Sequence, residues 1–357
     1  MPTTRNLGGI TGRGTRVRIA VCRPQVPFGY GGAEIFCDRL VGELREREHE
    51  AELVTVPFKW YPGERVLTQA FLWRLLDLDE ADGRPIELVV ATKFPSYCVR
   101  HRNKVVWLLH QFRQAYELDR TALGQFGDSP EERATRRAVQ RLDRVALGEA
   151  RRVFATSRNV AERLERSTGI GAEVMPHPPQ ELDYRCEEYG DFVLSVGRLD
   201  RSKRIDLMLD AVAADPALRC VIAGDGPDRP RLEELARRHG LNGRVTFAGR
   251  VSEAELADLY ARCLAVYYAP IDEDFGMVPY EAFLAEKPVI TTSDAGGPLE
   301  VVADRRTGLV CEPRAAALAA ACSWLRVHPD DAKAWGVAGK ALAERVSWDD
   351  TIARLLS

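Results

Sequence analysis

The sequence predicts an α/β protein of two doubly wound, Rossmann-like domains facing across a cleft, and three observations lead to this class. Short apolar runs alternate with amphipathic stretches from residue 17 to about residue 312, as in β-α-β units with parallel sheets. The chain of 357 residues exceeds one ordinary core, which favours two domains. A polar stretch with several prolines, residues 176–190, separates two series of strands, and we interpret it as the linker.

The first series of strands defines an N-terminal domain over residues 1–180. Each predicted strand is a short apolar run rich in β-branched residues, and the long patterns between strands are helical. The predicted strands are Val17–Cys22, Glu52–Val56, Leu88–Ala91, Val105–Leu109 and Val153–Thr156, with helices over Ala33–Arg47 and Glu131–Ala150.

The second series defines a C-terminal domain over residues 186–335. A final amphipathic run, residues 336–357, is expected to pack back on the first domain. The carboxyl ends of both sheets would then border one cleft, where open α/β sheets bind ligands. The predicted strands are Phe192–Val196, Arg219–Ala223, Val245–Phe247, Ala265–Tyr268, Pro288–Thr291 and Leu309–Cys311.

The charge balance disfavours nucleic-acid binding. The chain carries 50 basic and 53 acidic residues, a formal net charge of −3, so it has no overall field that attracts a polyanion. Its 45% hydrophobic content excludes a disordered chain.

The cysteine pattern and the lack of apolar segments favour a cytoplasmic protein. The eight cysteines are scattered without a C-x-x-C pair, as expected of small buried residues in a reducing compartment. The first residues, MPTTRNLGGITGRGTR, contain no apolar run typical of an export signal. No uncharged apolar run reaches 18 residues, so only peripheral membrane contact stays open.

Two cations follow the first strand of the second domain. In Ser195–Lys203, Gly197 permits a tight turn, while Arg198 and Lys203 carry positive charge at the strand end. Such a pair suits a diphosphate, although two solvated surface cations would be the ordinary interpretation of this segment alone.

The most informative segment runs from Ala269 to Ile290. An acidic loop containing Glu273 passes through Gly276 into a helix that carries Glu281. Amides at a helix start can bind an anion, and carboxylates accept hydrogen bonds from sugar and ribose hydroxyls. An acidic first helical turn explains Glu273 alone but not the whole segment.

These segments together resemble family 4 glycosyltransferases of the GT-B fold. The motifs run in the family's order along nearly the whole chain, and together they are specific although each alone is weak. They are Gly31-Gly32-Ala33-Glu34, the strand ending at His110, Gly197-Arg198-Leu199 with Lys203, Gly224-Asp225-Gly226-Pro227, residues 247–251, Glu273-x7-Glu281 around Phe275-Gly276, and Gly296-Gly297-Pro298-Leu299-Glu300.

The resemblance implies a role for each matching position. The donor would be a UDP- or GDP-sugar without a metal, and the acceptor a sugar, a lipid or another small molecule, bound on the side of the N-terminal domain. Arg198, Lys203 and the turn at Gly197 would hold the diphosphate, and Glu273 and His110 the transferred sugar. The remaining binding positions would be Gly31 and Gly32 closing on the diphosphate, Phe275, Gly276, Met277 and Val278 at the helix start, Glu281 at the ribose, and the backbone near Arg250 and Val251 at the base.

Other nucleotide motifs fail. The glycine-rich segments lack the last glycine of a dinucleotide fingerprint or precede the first strand, and no G-x-x-x-x-G-K-[ST] occurs. The acidic triplet at residues 272–274 lies within the Glu-x7-Glu motif and needs no ion. An arginine-rich stretch at residues 133–152 could face anionic lipid, but its interspersed acids favour a solvated helix face.

The sequence therefore predicts a retaining glycosyltransferase. A nucleotide-sugar epimerase or a phosphorylase on the same fold is the nearest alternative enzyme. A non-catalytic, two-lobed ligand-binding protein is the alternative from another class. The oligomeric state, the nucleobase, the sugar and the acceptor stay open.

Overall fold

The structure is a computed structural model that describes residues 16–121 and 124–357. The glycine-rich amino-terminal segment, interpreted above as lacking an export signal, lies outside the described residues. The chain divides into two compact units, residues 1–177 with 347–357 and residues 178–346.

The first unit contains a six-stranded parallel sheet in the order β2-β1-β5-β6-β7-β8. A two-stranded antiparallel hairpin, β3-β4, lies between β2 and β5 along the chain. The strands are β1 (Arg18–Gln25), β2 (Glu50–Pro57), β3 (Glu80–Ala81), β4 (Arg84–Pro85), β5 (Leu88–Lys93), β6 (Lys104–His110), β7 (Arg152–Ala155) and β8 (Glu173–Val174), and the helices are α1 (Gly32–Glu46), α2 (Val66–Leu75), α3 (Pro130–Gly148) and α4 (Arg158–Thr168).

The second unit contains a six-stranded parallel sheet in the order β11-β10-β9-β12-β13-β14. The strands are β9 (Phe192–Val196), β10 (Arg219–Ala223), β11 (Val245–Gly249), β12 (Ala265–Tyr267), β13 (Val289–Thr292) and β14 (Gly308–Cys311), and the helices are α5 (Ile205–Ala214), α6 (Arg229–Arg238), α7 (Glu253–Arg262), α8 (Val278–Leu284), α9 (Ala315–Val327) and α10 (Pro329–Ala343).

The predicted fold class of two parallel-sheet α/β domains is confirmed. In both sheets the strand order reverses beside the first strand, after β1 in one unit and after β9 in the other. Chain segments diverge at such a switch point, which leaves a crevice outside the carboxyl ends of the strands. In the second unit this point lies between β9 and β12, the strands that precede the two predicted site segments.

Helices cover both faces of the first sheet. One face packs against α2, α3 and α4 through residues such as Trp73, Val139 and Leu164. The other packs against α1 through residues such as Phe36 and Leu40. The outer sides of α2, α3 and α4 therefore point away from one face of the sheet, and the outer side of α1 points away from the other face.

Near the carboxyl terminus, the boundary between the two units lies later in the chain than the sequence predicted. The helix α10 stays with the second unit, and only α11 (Trp348–Leu356) packs against the first sheet, through Trp348 and Ile352. Close backbone contact explains why α10 stays, because a Cβ on Gly336 would lie 1.8 Å from the carbonyl oxygen of Glu286. The boundary therefore falls at residue 346, and not at 335.

Candidate functional site

The turn after β9 packs against glycines of the loop that follows β10. Gly197 has φ +141°, and a Cβ on Gly224 would lie 2.0 Å from the Gly197 carbonyl oxygen. A Cβ on Gly226 would lie 2.3 Å from the carbonyl oxygen of Leu199. The Gly224-x-Gly226 motif thus lets the loop after β10 pack directly on the turn that carries Arg198.

Arg198 lies exposed at this turn, and no hydrogen bond or ion pair joins its side chain to another described residue. A guanidinium without an internal partner at a switch point is available to a ligand. Its predicted contact with a diphosphate stays a prediction.

Lys203, Tyr268 and Glu273 form a three-residue cluster. The Lys203 Nζ donates to the Glu273 Oε2, and the Tyr268 hydroxyl lies 3.3 Å from both atoms. The side chains of Lys203 and Glu273 are each 20% exposed. Burial alone would lower the pKa of Lys203, but Tyr268 and Glu273 outweigh it and raise the pKa of the ammonium group. Lys203 therefore stays cationic.

The Glu273 backbone is fixed by the Gly296-Gly297 segment. Its N–H donates to the Ala295 carbonyl, and its carbonyl accepts from the Gly297 N–H, both at 2.8 Å. A Cβ on Gly296, which has φ +76°, would lie 2.6 Å from the Glu273 carbonyl oxygen. These glycines are needed because the two loops lie in backbone contact.

Arg204, which the sequence analysis did not single out, connects three loops of the site. Its guanidinium donates to both carboxylate oxygens of Asp294 at 2.7 and 2.9 Å, and to Thr292 at 2.7 Å. It also donates to the backbone carbonyls of Ala269 and Pro270. The turn carrying Lys203 is thereby joined to the loops after β12 and β13.

The predicted helix start lies in the same loop system. Gly276 has φ +84°, and a Cβ there would lie 2.7 Å from the Cε1 of Tyr268. Phe275 stacks on Tyr280, with ring centroids 5.1 Å apart, while Met277 and Val278 begin α8. The segment is closely packed, and the binding role of its amides stays a prediction.

Glu281 is buried on α8. Its Oε2 accepts a hydrogen bond from the Tyr260 hydroxyl at 2.7 Å, and burial raises the pKa of the carboxyl group despite that bond. Tyr184, whose ring lies 5.9 Å from that of Tyr260, has a buried hydroxyl with no hydrogen-bond partner among the described residues. Polar groups near Glu281, such as the Tyr184 hydroxyl, can therefore form further hydrogen bonds.

Arg250 and Val251 follow β11, two strands away from β9. The Gly249 carbonyl, which precedes them, accepts from the Gly224 N–H at 2.7 Å. Arg250 is exposed, whereas Val251 packs against the apolar cluster that contains Tyr268. The second unit thus brings Lys203 and Glu273 into contact and places Arg198, Arg250 and Val251 in loops at the same edge of the sheet.

In the first unit, His110 ends β6 beside Lys93. Its Nδ1 lies 2.7 Å from the Gln111 carbonyl oxygen, which can only accept, so Nδ1 carries the proton and Nε2 is left as an acceptor. Burial and, secondly, the charge of Lys93 lower the pKa of His110 to about 4. The imidazole is therefore neutral at pH 7.

Gly31 and Gly32 begin α1 at the switch point of the first sheet. The Gly31 N–H donates to Glu34, whose carboxylate also pairs with Lys93 at 3.3 Å. A Cβ on Gly32 would have no atom within 4 Å, and neither glycine has a positive φ. Nothing within the described chain requires glycine at 32. Lys93 was missed by sequence reasoning, although it directly follows a buried strand.

Two negative findings concern the described residues. No three His, Cys, Asp or Glu side chains among them cluster closely enough to hold a metal ion. None of the helices in that part of the chain is long and apolar enough to span a bilayer.

Most of the second unit is similar to a known protein family. Residues 185–341 match the family model described as "Glycosyl transferases group 1". The α-1,3/1,6-mannosyltransferase ALG2 of Dictyostelium discoideum is 32% identical over 171 residues, 42% of this chain and 40% of that protein. The glycogen synthase of Mycobacterium tuberculosis is 36% identical over 165 residues, 44% of this chain and 38% of that protein. The chain thus spans less than half the length of these curated relatives.

Solved structures match over nearly the whole chain. Sucrose-phosphate synthase from Thermosynechococcus elongatus has a TM-score of 0.76 at 20% identity, covering 95% of this chain and 97% of that one. HepE of Anabaena, solved with UDP and glucose, has a TM-score of 0.70 at 19% identity, covering 96% and 99%. The chain therefore has the GT-B fold, and residues 185–341 of its second unit match the group 1 glycosyltransferase family model.

Proposed function

We propose that the protein is a retaining glycosyltransferase that moves a sugar from a nucleoside-diphosphate sugar to an acceptor hydroxyl. The observation that carries the proposal is the Lys203–Glu273 contact at the switch point of a group 1 glycosyltransferase domain. It joins a cation suited to phosphate and a carboxylate suited to sugar hydroxyls where α/β sheets bind ligands.

The chemistry requires stabilisation of separated charge. As the glycosidic bond breaks, the anomeric carbon becomes cationic and the diphosphate leaves as an anion. Lys203, held cationic by its neighbours, and the exposed Arg198 would stabilise that anion electrostatically. Glu273 would orient the sugar through its hydroxyls.

We propose that the anomeric configuration of the sugar is retained without a base from the protein. The acceptor would attack on the face that the diphosphate leaves, and the departing phosphate would take the acceptor proton. His110, neutral with Nε2 free to accept, suits a hydroxyl contact rather than proton abstraction, because a base with a pKa near 4 is weak.

The donor is proposed to be a UDP- or GDP-sugar. HepE, whose fold this chain shares, was solved with UDP and glucose. Glu281 with Tyr184 and Tyr260 offers polar groups suited to ribose hydroxyls. The proposed localisation is cytoplasmic, where such donors are made.

A panel of UDP- and GDP-sugars, each assayed with and without sugar or lipid acceptors, tests the proposal. Acceptor-dependent nucleotide release with the anomeric configuration preserved is expected. Epimerised donor without transfer would indicate an epimerase, and dependence on inorganic phosphate a phosphorylase. Binding without turnover would favour the non-catalytic alternative.

Variants locate the site. Arg198→Ala and Lys203→Ala should each remove a charge-assisted contact of about 1.5–3 kcal/mol and slow transfer accordingly. Arg201→Ala, which changes an exposed arginine of the same turn that has no assigned role, is the matched control. Wild-type turnover in both test variants would show that the site is misplaced.

A further inference from the structure

The helix α2 of the first unit is apolar on its outer side as well as its inner side. Val66, Ala70 and Trp73 are fully buried against the sheet. Phe71 and Leu75, one helical turn apart, are 57% and 79% exposed. Leu72 lies beside them and is 46% exposed. A surface helix usually carries polar residues there, so this side indicates an interaction.

Exposed aromatic residues flank this helix. Trp60 and Tyr61 precede α2, and the Lys59 ammonium lies 4.3 Å from the centroid of the Tyr61 ring. Gln69 on α2 binds both the N–H and the carbonyl of Lys59, which fixes the segment beside the helix. Trp and Tyr beside a cation are typical of the bilayer interface.

The outer side of α3 is cationic. Arg137, Arg141 and Arg144 recur at helical spacing, are exposed, and have no hydrogen bond or ion pair to another described residue. Val145, 54% exposed, lies among them.

The acidic residues of α3 do not interrupt this stripe. Asp143 is fully buried and accepts from the hydroxyls of Tyr97 and Tyr116. Glu131 and Glu132 lie in the first turn of the helix, before Arg137, and Glu149, just past the helix end, pairs with Arg74. The arginines on the outer side of α3 are exposed, as expected of a solvated helix face, but no acidic residue lies among Arg137, Arg141 and Arg144.

The two stripes face the same way. Both helices pack on one face of the first sheet through a shared apolar core, and the Arg74–Glu149 pair ties their carboxyl ends together. Their outer sides therefore both point away from that face. We call Phe71, Leu72, Leu75, Arg137, Arg141 and Arg144 the α2–α3 face.

We propose that the α2–α3 face docks on an anionic phospholipid surface. Its apolar stripe would enter the headgroup boundary, and its arginines would pair with lipid phosphates. A second copy of the chain is a poorer occupant, because the unpaired arginines of two identical faces would repel. The proposal goes beyond the proposed function and requires no donor or acceptor sugar.

Co-sedimentation of the full chain with vesicles tests this docking. Vesicles of phosphatidylcholine alone are compared with vesicles of equal parts phosphatidylcholine and phosphatidylglycerol, at low and high salt. Binding is expected to the anionic vesicles and to weaken with salt. Arg137→Gln and Arg141→Gln should each weaken it about fivefold. The double variant Phe71→Asn, Leu75→Asn should weaken it by about tenfold or more.

Matched controls change similar residues of the second unit. Arg237→Gln with Arg238→Gln on α6, and Val327→Asn with Val337→Asn on α9 and α10, should bind like the wild type. All variants alter exposed side chains, and thermal melts verify their folding. Absent binding, equal binding to neutral vesicles, or equal loss in the controls would overturn the proposal. A lipid-free dimer abolished by the Phe71 and Leu75 changes would assign the face to self-association and overturn it equally.

Discussion

The Nζ of Lys203 contacts the Oε2 of Glu273, seventy positions further along the chain. The family resemblance implies that these residues bind separate parts of a donor, the diphosphate and the sugar. Their contact, with Tyr268 at 3.3 Å from each, makes them one electrostatic unit. A diphosphate that approaches Lys203 would compete with Glu273 for its charge.

A double-mutant cycle measures this coupling. Lys203→Met and Glu273→Gln, alone and combined, should show an interaction of about 1 kcal/mol in urea unfolding, a modest value because both side chains are partly exposed. The same cycle on Arg314 and Glu312, an ion pair that is 68% and 66% exposed, should give nearly zero. Additivity at Lys203 and Glu273 within about 0.3 kcal/mol would contradict the cluster.

The fold was predictable because buried parallel strands are apolar runs. The predicted Phe192–Val196 and Arg219–Ala223 coincide with β9 and β10, and the other predicted strands differ by a few residues at their ends. The helix α2 was missed because apolar residues on both its inner and its outer side leave no clear 3.6-residue period. The short β8 and the β3-β4 hairpin lack any apolar run.

The candidate site was only partly predictable. Motif glycines were recognised, but the reasons for Gly224 and Gly296 are backbone contacts with distant loops. Arg204 escaped notice because its partners lie far along the chain, up to 90 residues away, and Tyr268 because its contact with Lys203 spans 65 residues. Such long-range contacts are set by sheet topology rather than by local spacing.

Glu281→Gln should raise the dissociation constant of free UDP or GDP by about tenfold or more, because a charge-assisted bond to the ribose is lost. The amide can still accept from Tyr260, so stability should change little. Isothermal titration calorimetry measures the constant. Glu273→Gln, assigned to the sugar, is the comparison, and an equal weakening by both variants would contradict the division of roles.

His110 should titrate far below an ordinary histidine. Burial and Lys93 lower its pKa to about 4, so the folded protein resists its protonation. Because the folded pKa is below the unfolded value, the stability from neutral His110 is present above about pH 6.5 and is lost as pH falls toward 4.

NMR titration of the His110 ring, assigned by comparison with His110→Phe, checks this value. The variant should also show a shallower loss of melting temperature between pH 6.5 and 4. A His110 midpoint near 6.5 would contradict its burial as a neutral group.

Gly32→Ala separates a structural glycine from one kept for a ligand. A Cβ at this position meets nothing within 4 Å, and its φ is not positive, so the melting temperature should not fall. If a donor phosphate approaches the start of α1, the added methyl should collide with it and cost roughly 1–3 kcal/mol of binding, about 5- to 150-fold in affinity. Gly42→Ala, equally unobstructed within α1, is the matched control and should bind the sugar nucleotide like the wild type. Calorimetric titration of both variants with the donor identified by the panel gives the comparison. Equal affinities would remove the turn at Gly31 and Gly32 from the donor site, while leaving the assignments on the second unit in place.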